Sequence, residues 1–345
     1  MTFVLQLFIR NSLLFRLLII VLLTATRAAA NDSTAELAAG GIVLTHNDGI
    51  EMRCEDLFIS QEEVRVGYKF FNTAPTDTKV LVAFPMPDIV IEGIDDIISV
   101  PTEDPENIMG FRTEVDGSPV VARVEQVATK DGVDRTAFLR DRGIPIQPHL
   151  RSTAQILDRL PEPTKTELLN LKLAVPEDYD AGKGWEHHLA PSWTLKTTYF
   201  WEQVFPAQRE IKIQHRYKPS VGLGVGTVVG SDSGREAIRR YCLGDQFLGA
   251  VERAKKKMHA EYAPFSEIRI AYILSTGASW RAPIGDFRLV VDKGRPDNLI
   301  SFCSTDVHKI GSTRLEVHKT NYRPEQDLNI LILKPLPKAE IDSQH

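Results

Sequence analysis

The reactive side chains packed most densely along the chain are His187 and His188, flanked by Trp185, Glu186 and Trp193. Imidazole binds metal ions or relays protons near neutral pH, so this pair, with a nearby carboxylate, is the candidate centre of a hydrolase. Adjacent histidines in a strand point to opposite faces, which makes the pair a poor ligand set. His215 is the third candidate. Period-two spacing puts it on an apolar face with Ile211, Ile213 and Tyr217, where a core histidine satisfied by a hydrogen bond is the plainer reading. Glu62-Glu63 and Asp95-Asp96 pair carboxylates in sequence only. The Ser-x-x-Lys and Gly-x-Ser-x-Gly nucleophile patterns do not occur after residue 30. Neither do closely spaced zinc ligands, Cys-x-x-Cys or an EF-hand loop. No catalytic motif is recognised, no cofactor is expected, and a non-enzyme is favoured. Trp185, Trp193, Trp201 and Trp280 could line a groove for sugar or peptide, with buried packing as the default.

The 345 residues are 43% hydrophobic and 25% charged, the balance of a chain able to bury a core. Met1 to Ala30 carries no acid. Arg10 and Arg16 precede the apolar run Leu17 to Leu23, and Ala28, Ala29 and Ala30 supply small residues, so a signal peptide spanning 1–30 and cleaved between Ala30 and Asn31 is expected. The apolar run is shorter than the roughly 20 residues a membrane-spanning helix needs. Asn31 is not cysteine, so no lipid anchor or other stable membrane anchor is expected after cleavage. Without Arg10, Arg16 and Arg27, 38 basic groups face 46 acidic ones, which speaks against nucleic acid as a partner. Lys255, Lys256 and Lys257 read as the solvated face of a helix. An oxidising compartment, periplasmic or secreted, favours pairing two of the three cysteines. The expected disulfide is Cys242 with Cys303, leaving Cys54 as a free or buried thiol.

The elements that must carry these residues are mainly strands. Val64, Val66, Tyr68 and Phe70 alternate with Arg65, Gly67 and Lys69. Similar strands are expected at 42–45, 50–59 and 78–84, and Asp116-Gly117 predicts a tight hairpin between 111–115 and 120–127. Leu195, Thr197, Tyr199 and Trp201 share one face. From 136 to 190 the alternation breaks: Ser152 is expected to cap a helix to Leu160, Pro161 and Pro163 to interrupt it, and Thr164 to cap another over 165–174. The glycine-rich stretch 222–230 fits no phosphate-binding spacing and reads as a flexible connector. Beyond it come helices expected at 234–243, capped by Ser233, and at 246–260, then strands at 268–274, 287–291, 299–303, 314–317 and 328–333. The expected fold is mainly β: an antiparallel β-sandwich over 31–230 with a helical insertion at about 136–190, then a helical hairpin and a smaller β-domain over 231–345.

Asn31 to Gly41 and Glu51 to Ser60 resemble a family of exported bacterial proteins known as domain of unknown function 4424. So do the blocks Val64 to Asn72, Val82 to Pro87, Tyr199 to Ala207, His215 to Gly222 and Trp280 to Gly285. The resemblance implies bacterial origin and export, and supplies no activity or site residues. The Val64 to Asn72 strand with the following Phe84-Pro85-Met86-Pro87 is also similar to β-sandwich modules of secreted adhesive proteins, a likeness of fold alone. The expected role is binding or scaffolding in the cell envelope, with an envelope protein or glycan as partner. The alternatives are a periplasmic hydrolase built on a histidine and a carboxylate, and a metal-stabilised structural module.

Overall fold

Alternating burial is what shapes the first strands. In Val64–Asn72 the residues Val64, Val66, Tyr68 and Phe70 are buried while Arg65 and Lys69 face water. The computed structural model describes residues 33–38, 41–45, 48–92, 97–180, 182, 184–231, 234–258 and 263–337. The expected signal peptide and its cleavage point, Ser233 as a cap, and the pair Asp95-Asp96 lie outside them.

The fold is mainly β and sandwich-like. An eight-stranded sheet runs in the order His308–Lys309, Arg314–Tyr322, Ile284–Asp292, Ile50–Ile59, Val64–Asn72, Glu210–Tyr217, Arg112–Val115 and Ser118–Val120. A seven-stranded sheet is built around Arg123–Lys130, Thr194–Phe205 and Thr78–Pro85. A five-stranded sheet is centred on Phe265–Tyr272 and Leu328–Pro335. The inner face of the eight-stranded sheet packs on both others. The His215 ring lies 4.8 Å from Phe84 and 5.4 Å from Trp201, and the Tyr68 hydroxyl is 3.2 Å from that of Tyr272. Ile330 and Ile332 point into this core, whereas Leu331 and Leu333 point the other way, into a second cluster with Tyr241, Leu243 and Val251. That double burial explains why Leu328–Pro335 reads as a nearly continuous apolar run.

Several expectations need correction. One sheet draws strands from both sides of residue 230, Ile284–Asp292 pairing with Ile50–Ile59, and that pairing is parallel, not antiparallel. Gly285 permits it, because a Cβ there would sit 2.7 Å from the Arg53 carbonyl, beside the bulge between Met52 and Cys54. The glycine-rich stretch begins as a strand, Val221–Gly224, paired with Ile97–Ser99 and Phe265–Tyr272. In the insertion the helices are Thr136–Asp141, Arg151–Arg159 and Glu162–Asn170, with Leu150 and Pro161 at the caps of the latter two in place of Ser152 and Thr164. Pro163 therefore sits in the first turn, where its missing N–H costs nothing. The rest of the insertion is a β-hairpin, Ala174–Asp180 with Trp185–Pro191. Helices Arg235–Arg240 and Asp245–Met258 form the expected pair, and a disulfide joins Cys242 to Cys303. No helix among the described residues is long and apolar enough to cross a membrane.

Candidate functional site

The three candidate histidines do not meet. His187 and His188 lie on the Trp185–Pro191 strand of the separate hairpin, and His215 lies on the inner face of the eight-stranded sheet. His187 Nδ1 is 2.9 Å from Asp178 on the facing strand. His188 takes the other face, with Nδ1 2.8 Å from Asp158 and Nε2 3.3 Å from Glu186, and its ring stacks on Tyr179. The Asp158 and Glu186 hydrogen bonds hold the His188 pKa above its ordinary value, favouring an ion-paired imidazolium over a free base. His215 is caged by Tyr68, Phe84, Phe111 and Trp201. Among the described residues no group of three or more His, Cys, Asp or Glu side chains could hold a metal ion. The tryptophan groove is not formed: Trp193, Trp201 and Trp280 are buried and Trp185 is 71% exposed. Cys54 remains a thiol whose pKa is raised by burial and by Asp286, so it is a poor nucleophile.

A larger feature lies where the chain changes sheets. Asp116 and Gly117 both adopt positive φ, 49° and 78°, and close the expected hairpin as a two-residue turn pairing Val115 with Ser118. The returning strand, however, ends at Val120, because Arg123–Lys130 leaves to pair with Thr194–Phe205 in the seven-stranded sheet. The crossing leaves a cleft of about 1130 Å³ between the two sheets. Phe111 and Tyr199 line it with parallel rings 4.4 Å apart. Asn107 Oδ1 accepts from the Tyr199 hydroxyl at 2.9 Å and from the Phe111 N–H at 2.7 Å, and burial pushes the Tyr199 pKa up, so the phenol stays a neutral donor. Gln147 donates to Gln126 Oε1 at 2.8 Å. Its segment is fixed from both sides, since Thr153 donates to the Gln147 carbonyl and the Trp193 indole to that of Ile146.

Three buried polar atoms here have no partner among the described residues: Thr113 Oγ1 and Gln126 Nε2, both from cleft-lining residues, and Thr197 Oγ1, cross-strand from Gln126. Such groups cost about 1–3 kcal/mol each when left unpaired. Beside these amides and hydroxyls the cleft is bordered by Arg112, Arg123 and Arg140 and by the carboxylates Asp104, Glu106 and Glu114, so it offers both neutral and charged hydrogen-bonding groups. None of these residues was a site candidate from sequence. The available signal was Thr197 and Gln126, polar side chains at inward positions of alternating strands.

His149, just beyond Gln147, gives the stability of the fold a pH dependence. Burial lowers its pKa from an ordinary 6.5 to about 4. Below about pH 6.5 the unfolded chain takes up this proton before the folded one, so stability falls as pH drops towards 4 and the loss levels off below that. Urea midpoints taken from neutral to acidic pH are expected to decline less steeply in His149→Gln than in the parent; equal slopes would exclude the effect.

The sequence matches the family described as a domain of unknown function, DUF4424, over residues 30–331. No curated protein matches the chain. Among solved structures it is similar to a "putative nutrient binding protein" from Legionella pneumophila subsp. pneumophila str. Philadelphia 1, with 15% identity and a TM-score of 0.45 over 88% of this chain and 70% of that one. With most of its length inside the family match, the chain belongs to the DUF4424 family.

Proposed function

We propose that the chain is a binding module of the cell envelope, working outside the cytoplasm, and that the cleft at the sheet crossover holds a hydrogen-bonding segment of a glycan or envelope protein. The carrying observation is the pair of unpaired buried Thr113 and Gln126 atoms at the cleft, with Thr197 unpaired across the strand from Gln126, where Asn107, Gln147 and Tyr199 are already fixed by hydrogen bonds. Held donors and acceptors in a concave site select a partner by what they would otherwise leave unsatisfied. The disulfide supports an oxidising compartment, where thiols are not kept reduced.

A photo-crosslinking residue at Val121, which is 93% exposed on the cleft rim, tests this in intact cells against the same residue at Val225, which is 76% exposed and not part of the lining. Adducts at 121 and not at 225 are expected. No adduct at either position, or equal labelling at both, would remove the proposal. A companion prediction needs no ligand: Thr113→Val removes an unpaired hydroxyl and should raise the stability of the chain by about 1 kcal/mol in urea denaturation. A comparable loss would mean that the hydroxyl is satisfied within the fold.

A further inference from the structure

On the outer face of the eight-stranded sheet, register brings together residues far apart in sequence. Arg216 stands opposite Arg65 on one side and Arg112 on the other, giving three arginines in a cross-strand row. Like charges at directly opposed positions are mutually destabilising. One carboxylate serves two of them: Glu63 lies 2.8 Å from the Nε of Arg65 and 2.8 Å from that of Arg216. Arg112 has no ion pair among the described residues, and neither does Glu114 in the next row. Further across the sheet the charges are matched, since Arg288 contacts Asp56 and Glu316, and Arg314 contacts Asp292. The positive excess therefore lies at the end formed by Arg112, Arg216 and Arg65, where Glu63 and the neighbouring Glu114 offset part of it. The three arginines border a concavity of about 630 Å³ that also includes Gly67, where a Cβ would meet nothing within 4 Å. The strands beneath are hydrogen-bonded on both sides, so the guanidinium groups project from a rigid base.

We propose that this concavity binds a phosphoryl-type oxyanion, either as free phosphate or as the phosphate group of a lipid. A guanidinium fork matches two oxygens of such a group, and three forks in a row leave one positive charge beyond what Glu63 and Glu114 together neutralise. Glu63 competes with the ligand for Arg65 and Arg216. This site shares Arg112 and Glu114 with the border of the crossover cleft, and the substitutions below avoid both.

Titration with inorganic phosphate at low salt, and sedimentation with vesicles of equimolar phosphatidylglycerol and phosphatidylcholine, distinguish the two sources. Arg216→Gln is expected to weaken binding of the responsive probe about tenfold, as loss of one charged hydrogen bond implies. Arg216→Lys, which keeps charge and loses the fork, should fall between the two, and Glu63→Gln should tighten binding. A response to phosphate assigns the free ion, and a response to vesicles alone assigns the lipid headgroup; either supports the site. The proposal is overturned if neither probe binds the parent protein, or if Arg216→Gln and Glu63→Gln bind as the parent does.

Discussion

Trp280→Ala is expected to cost about 3–5 kcal/mol, a large part of the roughly 5–15 kcal/mol that holds a typical domain together. The indole is fully buried, with its rings 4.7 Å from Phe70 and 6.3 Å from Phe205. Trp280 belongs to the last third of the chain, while Phe70 and Phe205 belong to Val64–Asn72 and Thr194–Phe205. Its loss therefore opens a cavity in the core common to the eight- and seven-stranded sheets. The loss should appear as one displaced transition, with fluorescence and far-ultraviolet circular dichroism moving together in urea. A biphasic curve, in which only part of the signal shifts, would show instead that residues after 230 unfold as a unit of their own.

The second large effect is that of the disulfide. Cys242 follows the Arg235–Arg240 helix and Cys303 follows the Leu299–Phe302 strand, at a sequence separation of 61. Closing a loop of that length restricts the unfolded chain by about 4 kcal/mol in the chain-entropy account. The double variant Cys242→Ser with Cys303→Ser should lose about that much stability, and a reductant should lower the parent to the same level. Local packing would survive in part, because Tyr241 and Leu243 remain buried in the cluster with Val251 and Leu331. If the variant differed from the parent by less than about 1 kcal/mol, the entropic account would fail for this loop. The two substitutions also act on different states: Trp280→Ala weakens the folded chain, whereas cutting the bridge mainly frees the unfolded one.

Much of the local structure was legible in the residues themselves. The strand Ile50–Ile59 and the hairpin at Asp116-Gly117 follow from alternation and turn chemistry, and the Cys242–Cys303 bridge agrees with the pairing expected of an oxidising compartment. His215 faces inward, as period two requires, because a strand has only two faces and its neighbours Ile211, Ile213 and Tyr217 claim one of them. The helix starts differ from those expected because Leu150 and Pro161, which carry no capping side chain, occupy the caps while packing and proline geometry set the ends.

What the residues did not disclose is which strand lies beside which. The parallel join of Ile50–Ile59 to Ile284–Asp292 depends on a partner more than two hundred positions away. The sites share that dependence. Arg65, Arg112 and Arg216 each read as an ordinary outward residue of its own strand, and only the register of three strands makes them a row. Thr113 and Gln126 meet at one cleft only because the chain leaves one sheet for the other after Val120. Alternation is written into each strand by its neighbours in sequence, two positions at a time. The choice of partner and register is settled by closing long loops around a shared core, and no local pattern encodes that closure.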